Sequence, residues 1–221
     1  VRHVRENKSS RVVVLDWDWH LGNGTLETLH ENGMLRRGSR VWCVDIHVDP
    51  VKEFPYLKAS KHAWFDASEN TLLLTIDNAR APNYNVLFNR ALQYIRSKRP
   101  TLILVAAGFD SRYKDPMTGG LGLKTSDYHA MASAIASLGV PVVYNLEGGY
   151  VGKREWMRSH SLGRCVTASM CGATGVPMYA FSRRKPQKHA AKMKRCILDM
   201  EALSGQRFLQ SRRLFNTITG S

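Results

Sequence analysis

The sequence has few cysteines and no long apolar run, and both absences restrict the classes of protein it can represent. Its four cysteines form no CxxC pair, so the sequence predicts neither a disulfide framework nor a thiolate zinc site. No run of about 18 apolar residues is present to form a membrane span. The first residues also lack the apolar stretch of a signal peptide. We therefore expect a soluble protein of a reducing compartment, the nucleus or the cytoplasm, with no membrane contact.

Acidic residues are also scarce, and positive charge dominates the C-terminal part of the chain. The formal net charge of the 221 residues is +14 at pH 7. Residues 151–221 hold 14 lysines and arginines but only 3 acidic residues. Such a basic segment is typical of a nuclear-import signal, a nucleic-acid contact or a solvated surface. Apolar residues at helical spacing within 190–203 also predict an amphipathic helix there.

Apolar β-type runs alternate with helical patterns along most of the chain. Helical spacing predicts helices at 84–98, 126–138 and 155–171. The alternation of strands and helices predicts an α/β fold, with a parallel sheet flanked by helices. The segment 50–82 is rich in loop signals, although one further strand fits within it. The strand predictions are 12–15, 41–46, 102–106, 141–146 and the optional Thr71–Ile76.

A cluster of metal-capable side chains follows the first predicted strand. Because side chains alternate along an extended chain, Asp16, Asp18 and His20 should face one way, while Trp17 and Trp19 face the other. Ligands of parallel sheets gather beyond the carboxyl ends of the strands, which is where this motif lies. An aspartate here can also simply cap a helix, and a single histidine is often a satisfied polar residue. The motif indicates half of a metal site.

The ends of two later strands carry the other half of the pattern. Asp110 follows the third long strand, and Gly148, Gly149 and Tyr150 follow the last one. Two carboxylates and one imidazole are enough for a catalytic zinc, which keeps a coordination position for water. Paired glycines followed by tyrosine are by themselves typical of a turn. The convergence of three strand ends on one edge of the sheet is what favours a site.

Four segments together resemble the zinc-dependent histone deacetylase family, specifically its class II-like branch. The resemblance implies an arginase/deacetylase-like fold, incomplete at its N-terminus. It also divides the chain into a C-terminal portion of a deacetylase domain at 1–175 and a basic tail at 176–221. The segments are DWDWHLGNGT at 16–25, DIHVDP at 45–50, LILVAAGFDSRYKDPMTGG at 102–120 and LEGGY at 146–150.

The resemblance also implies roles for individual residues. Asp18, His20 and Asp110 would be the zinc ligands, and Tyr150 would donate a hydrogen bond to the developing oxyanion. Asp16 and Asp45 would lie near a structural potassium ion, with Asp45 in place of the usual Ser or Thr, and Asn23 would support a catalytic histidine. The expected substrate channel comprises Phe54, Met117, Gly148 and Gly149.

The activity that the resemblance implies is zinc-dependent hydrolysis of acetyl-lysine amides in histones or other proteins. Acetylated histones and a corepressor complex would be its partners. Two alternatives stay open: an impaired scaffold that binds a partner or nucleic acid through its basic tail, and a deacetylase of polyamines or other small amines. The family takes its general base from two adjacent histidines, whereas none of the eight histidines here is adjacent to another. We therefore expect a chain that begins within its domain, and an isolated chain of low activity.

Overall fold

A five-stranded parallel sheet forms the centre of the computed structural model, which describes residues 1–76, 81–153 and 160–176. The strand order is β3-β2-β1-β4-β5, and every neighbouring pair is parallel. This confirms the predicted α/β class and all five predicted strands, including the optional one. The strands are β1 Val12–Asp16, β2 Val41–Val48, β3 Thr71–Ile76, β4 Leu102–Ala107 and β5 Val142–Leu146.

Helices connect the strands and cover the sheet. Those with clear apolar spacing were predicted. Of the helix expected at 155–171, residues 155–159 lie outside the described residues, and α6 begins at Leu162. The short α1 and α2 had no distinct periodic signal. The helix Ala59–Asp66 lies within the segment 50–82, which was predicted to be rich in loops. It was not predicted because its apolar residues follow no clear helical stripe. The helices are α1 Arg2–Glu6, α2 Asn23–Glu31, α3 Ala59–Asp66, α4 Ala81–Lys98, α5 Thr125–Ala136 and α6 Leu162–Thr174.

Both faces of the central strands are buried, which explains why β1 is apolar up to its last residue, Asp16. Val13 and Leu15 pack in one apolar cluster with residues of α4 and α5, while Val12 packs on the opposite face with Leu26 and Leu29 of α2. A strand buried on both faces needs no polar alternation. The core therefore consists of two layers separated by the sheet.

The strands are aligned so that three loops meet at one edge. Asp16, the last residue of β1, lies beside Asp45 on one side and Ala106 on the other. At the end of β4, Ala107 lies beside Leu146 of β5. The loops that follow β1, β4 and β5 therefore leave the sheet together. These loops carry the side chains that were predicted from the sequence to form a metal site.

The outer strand β5 is much less covered than the centre of the sheet. Val143 is 54% exposed and Leu146 is 62% exposed.

None of the helices in the described ranges 1–76, 81–153 and 160–176 is long and apolar enough to span a bilayer. The amphipathic helix expected within 190–203 lies outside the described residues, as does almost all of the basic tail. The domain division at residue 175 therefore stays a prediction.

Candidate metal centre

Asp18, His20 and Asp110 come together where the loops after β1 and β4 meet. The Nδ1 atom of His20 lies 3.1 Å from Oδ1 of Asp18 and 3.2 Å from Oδ2 of Asp110. One donor atom from each residue lies within 4.8 Å of the others. The structure thus brings together the three side chains that the sequence analysis named as metal ligands.

Backbone hydrogen bonds from neighbouring loops hold the two carboxylates in place. Asp18 accepts a hydrogen bond from the backbone N–H of Gly148, at 2.8 Å. Asp110 accepts one from the backbone N–H of Trp19, at 2.9 Å. Asp16 in turn accepts the backbone N–H of Asp18, at 3.0 Å. The carboxylates of Asp18 and Asp110 are therefore each held by a loop other than their own. Asp16, at the end of β1, holds the backbone of Asp18. Together these bonds fix the geometry of the cluster.

One buried oxygen in this cluster shows what kind of group the residues can hold. Oδ2 of Asp110 is buried and accepts no hydrogen bond of good geometry, although His20 Nδ1 lies near it. A buried carboxylate oxygen without a partner is costly, and a cation is one way to satisfy it. One imidazole nitrogen and two carboxylate oxygens form a donor set that suits zinc and related divalent ions. The three side chains therefore fit a metal ion.

The charges of the cluster alter the protonation of its members. The close contacts of the His20 ring with the carboxylates of Asp110 and Asp18 raise the pKa of His20 to about 9. Burial raises the pKa of Asp110, and the charge of Asp18 adds to this, while the close contact with His20 opposes it. Burial acts in the same direction on Asp18, but hydrogen bonds from His20 and Gly148 outweigh it and lower the pKa of Asp18. Without a metal, the imidazolium of His20 partly neutralises the two carboxylates.

Two glycines allow the backbone to approach the ligands closely. A methyl group on Gly148 would lie 2.4 Å from Oδ2 of both Asp110 and Asp18. A methyl group on Gly108 would lie 2.1 Å from Oδ2 of Asp18. Real side-chain atoms do not approach so closely, so both positions need glycine. Gly149 has a φ of +121°, a conformation that only glycine adopts readily.

The backbone of Tyr150 is held on both sides by a buried ion pair. Asp115 accepts the N–H of Tyr150 at 3.0 Å, and a guanidinium N–H of Arg112 donates to the Tyr150 carbonyl. Nε of Arg112 lies 3.4 Å from Asp115 Oδ2, and both side chains are fully buried. The pKa of the Tyr150 phenol is raised by burial and by the charges of Asp110, Asp18 and Asp115, so its hydroxyl stays protonated. The backbone of Tyr150 is therefore fixed beside the cluster, and its protonated hydroxyl can donate a hydrogen bond.

The sequence analysis did not recognise the Arg112–Asp115 pair as part of the site. Two opposite charges three residues apart, directly after a buried strand, were the available signal. A sequence cannot show whether such a pair is buried. Asp115 also accepts the N–H of Met117, at 2.9 Å, and so orders the same loop.

Three of the four residues named for a substrate channel border the cluster. Phe54 is 57% exposed, and its ring meets the His20 ring edge-on with centroids 5.7 Å apart. Gly148 lies against both carboxylates, and Gly149 follows it on the loop that leads to Tyr150. Met117 is 72% exposed and follows Asp115 on the loop after β4. Contact of these residues with a substrate stays a prediction.

Asp16 and Asp45 face each other behind the cluster. Both carboxylates approach Gly22, where a methyl group would lie 2.5 Å from Asp16 Oδ2 and 3.2 Å from Asp45 Oδ2. Burial and the charge of Asp45 raise the pKa of Asp16 well above its usual range. Asn23 is the first residue of α2, and its backbone N–H bonds to the carbonyl of Leu21. The roles expected for Asp16, Asp45 and Asn23 stay predictions.

Comparison with known proteins supports the similarity already visible in the motifs. An acetylpolyamine amidohydrolase from Mycoplana ramosa is 28% identical over 152 residues, which are 67% of this chain and 42% of that protein. Histone deacetylase 6 of Caenorhabditis elegans is 31% identical over 158 residues, covering 66% of this chain and 15% of that protein. The chain thus spans less than half the length of these relatives.

Solved structures show the same fold. The crystal structure of an acetylpolyamine aminohydrolase from Burkholderia pseudomallei matches with a TM-score of 0.61 and 24% identity, covering 76% of this chain and 46% of that one. The histone deacetylase Clr3 matches with a TM-score of 0.64 and 20% identity, covering 91% of this chain and 32% of that one. The profile of the histone deacetylase domain matches residues 1–163. The chain therefore belongs to the histone deacetylase family, whose members act on acetylated substrates.

Proposed function

We propose that this protein is a zinc-dependent hydrolase of acetyl-lysine amides in histones or other proteins. The observation that carries the proposal is the cluster of Asp18, His20 and Asp110 at the carboxyl edge of a deacetylase-type sheet. A scaffold function is less well supported, because the donor set is intact and its buried oxygen lacks a hydrogen-bond donor. The nucleus and the cytoplasm are the proposed locations.

The chemistry of the proposed reaction is divided between the metal ligands and Tyr150. A zinc ion bound at this donor set would polarise the acetyl carbonyl and lower the pKa of its bound water. Asp18 and Asp110 hold their orientation through the backbone N–H groups of Gly148 and Trp19. Tyr150, held through both of its backbone polar groups, would donate its phenolic hydrogen to the oxyanion that forms from the acetyl carbonyl.

Apolar side chains beside the metal ligands suit the aliphatic part of an acetylated lysine. Phe54 and Met117 are both largely exposed, so a substrate can bury them against its methylene groups. An ammonium group would find no comparable gain at such surfaces, whereas the neutral acetylated side chain does. This favours an acetylated amine as substrate.

A structural potassium ion is part of the same proposal. Asp16 and Asp45 converge behind the zinc ligands, with Asp16 hydrogen-bonded to the backbone of Asp18. A cation between them would relieve the repulsion of two buried carboxylates. A corepressor complex and nucleic acid are further proposed partners, supported only by the positive charge of residues 151–221.

Two variants test the proposed division of labour. Asp110→Asn should abolish stoichiometric zinc binding and turnover of an acetyl-lysine peptide. Tyr150→Phe should keep the zinc but lower turnover by about two to three orders of magnitude, as loss of an oxyanion donor does. Zinc content is measured by mass spectrometry of the metal, and turnover by release of acetate. Glu31→Gln, an exposed change on α2, is the matched control and should alter neither.

The outcomes separate the two roles. Full zinc content in Asp110→Asn would show that the ligand assignment is wrong. Unchanged turnover in Tyr150→Phe would remove the oxyanion role from that residue and leave the metal site standing.

A second candidate substrate is a small acetylated amine, and the similarity to acetylpolyamine amidohydrolases favours it. The metal centre would be the same, so the difference lies in the values of kcat/KM. An acetyl-lysine peptide and N-acetylputrescine should be compared with one zinc-loaded preparation. A higher kcat/KM for the peptide supports the protein substrate, and the reverse order supports the small amine.

A further inference from the structure

A second group of polar side chains links β2, β3 and α3, outside the cluster of Asp18, His20 and Asp110. Nδ1 of His47 lies 2.8 Å from Oδ1 of Asp45, and both side chains are buried to within 1%. The opposite nitrogen of the same ring, Nε2, lies 3.3 Å from Nε2 of His62 on α3. The two rings meet almost perpendicularly, with centroids 5.4 Å apart. Two imidazoles therefore point the same type of nitrogen at each other.

The carboxylate of Asp45 determines how His47 is oriented. When His47 donates its Nδ1–H to Asp45, its Nε2 presents a lone pair towards His62 and the hydroxyl of Thr75. The other oxygen of Asp45 accepts the backbone N–H of Gly22 at 2.9 Å, so the carboxylate itself is fixed. A carboxylate behind a histidine is the usual arrangement around metal-ligating imidazoles, because it orients the ring and increases its basicity.

We propose that His47 and His62 form a second metal site that binds Zn²⁺ or a similar transition-metal ion through their Nε2 atoms. Two nitrogens that are each about 2.0–2.1 Å from a tetrahedral zinc lie about 3.3–3.4 Å apart. The observed separation of 3.3 Å matches the N···N distance of such a site. The site is distinct from the cluster of Asp18, His20 and Asp110 and does not depend on the proposed activity.

The surroundings allow an ion to reach the two nitrogens and to complete its coordination. His47 is fully buried, whereas His62 is only partly buried, so access is from the α3 side. The hydroxyl oxygen of Thr75 lies 3.2 Å from Nε2 of His47 and supplies a neighbouring oxygen. Water would occupy the remaining positions. The buried charge of Asp45 favours a cation at this place.

The decisive experiment measures zinc binding in a chain whose first site has been removed. In an Asp110→Ala background, titration with Zn²⁺ alone should show one equivalent of zinc. Adding His62→Asn should remove this equivalent, while the half-buried control His129→Asn on α5 should keep it. Asp45→Asn should weaken zinc binding about 10- to 100-fold, as loss of an orienting partner does. The cysteines are identical in all variants, so thiol binding cancels.

Equal zinc binding with and without His62 would overturn the proposal and leave the two histidines as a hydrogen-bonded pair. If the Asp110→Ala chain does not fold, the same comparison is made in the unaltered chain. There, His62→Asn should lower the stoichiometry from two zinc ions to one. Asp110→Asn should remove the zinc ion of the first cluster without affecting the one at His47 and His62. The two variants therefore show separately whether each site binds zinc.

Discussion

Gly148 brings its backbone against the carboxylates of both Asp18 and Asp110. A methyl group there would be 2.4 Å from an oxygen of each ligand carboxylate. We expect Gly148→Ala to displace Asp18 or Asp110 and to weaken zinc binding at least about tenfold, as loss of an orienting hydrogen bond does. Competition with a chelator measures this affinity.

Gly163→Ala is the control for that substitution. Gly163 lies in α6, and no atom lies within 4 Å of the added methyl group. This variant should keep its zinc affinity and gain up to about 1 kcal/mol in stability, because alanine is the better helix former. Equal zinc affinity in both variants would contradict the role assigned to Gly148.

The protonation of His20 makes metal binding depend on pH. Its pKa of about 9 means that the metal-free protein carries a proton on His20 at pH 7. A metal must displace this proton, so apparent affinity should rise about tenfold per pH unit up to about pH 9. Calorimetry in buffers of different ionisation enthalpy should show release of about one proton per metal ion at pH 7. No proton release would contradict metal binding at His20.

The same proton affects the stability of the metal-free chain. A raised pKa means that the protonated form stabilises the folded state. This contribution is fully present below the ordinary pKa of histidine, near 6.5, and is lost as the pH rises through about 9.

The loop between β4 and α5 depends on the buried pair of Arg112 and Asp115. Asp115→Asn would remove the carboxylate charge that lies beside the buried guanidinium of Arg112. Breaking a buried ion pair in this way typically costs about 3–5 kcal/mol. Urea unfolding should show this loss, whereas Glu31→Gln should stay within about 0.5 kcal/mol of the parent protein. A small loss in Asp115→Asn would show that other contacts hold the loop.

Differences in how the helices pack explain why some of them were not predicted. The stripes in α4 and α5 are regular because both helices pack on a broad sheet face. In α3, Phe65 is buried while the neighbouring Trp64 is 48% exposed. A helix with one strongly buried apolar residue has little periodic signal, and tertiary packing decides its formation.

For an isolated chain of these 221 residues, we expect low turnover even when the proposed metal centre is full. None of the eight histidines is adjacent to another. The adjacent histidine pair that the resemblance implies as general base therefore has no counterpart in these 221 residues. General acid–base catalysis is commonly worth about 10² to 10⁴ in rate. Turnover per zinc should therefore be lower by about this factor than that of the Mycoplana ramosa acetylpolyamine amidohydrolase in the same assay. Comparable turnover would show that another group of this chain acts as base.

Sequence patterns were sufficient for the sheet and for the three expected metal ligands. The apolar runs of β1 and β4 and the polar residues after them are local features, and parallel strands bring their carboxyl ends to one edge. The proximity of Asp18, His20 and Asp110 could therefore be predicted from the sequence. The predicted start of the helix at 155–171 lies outside the described residues, and its remaining part coincides with α6.

The sequence by itself determined the α/β class, the strand ends that carry the ligands and the excess of positive charge. Only the tertiary structure decided that Arg112 and Asp115 hold Tyr150, that Gly148 lies against both carboxylates and that His47 faces His62. These contacts join residues from different loops, strands and helices. Their geometry depends on how the elements pack, because a side chain's burial and partners are set by segments that are distant along the chain.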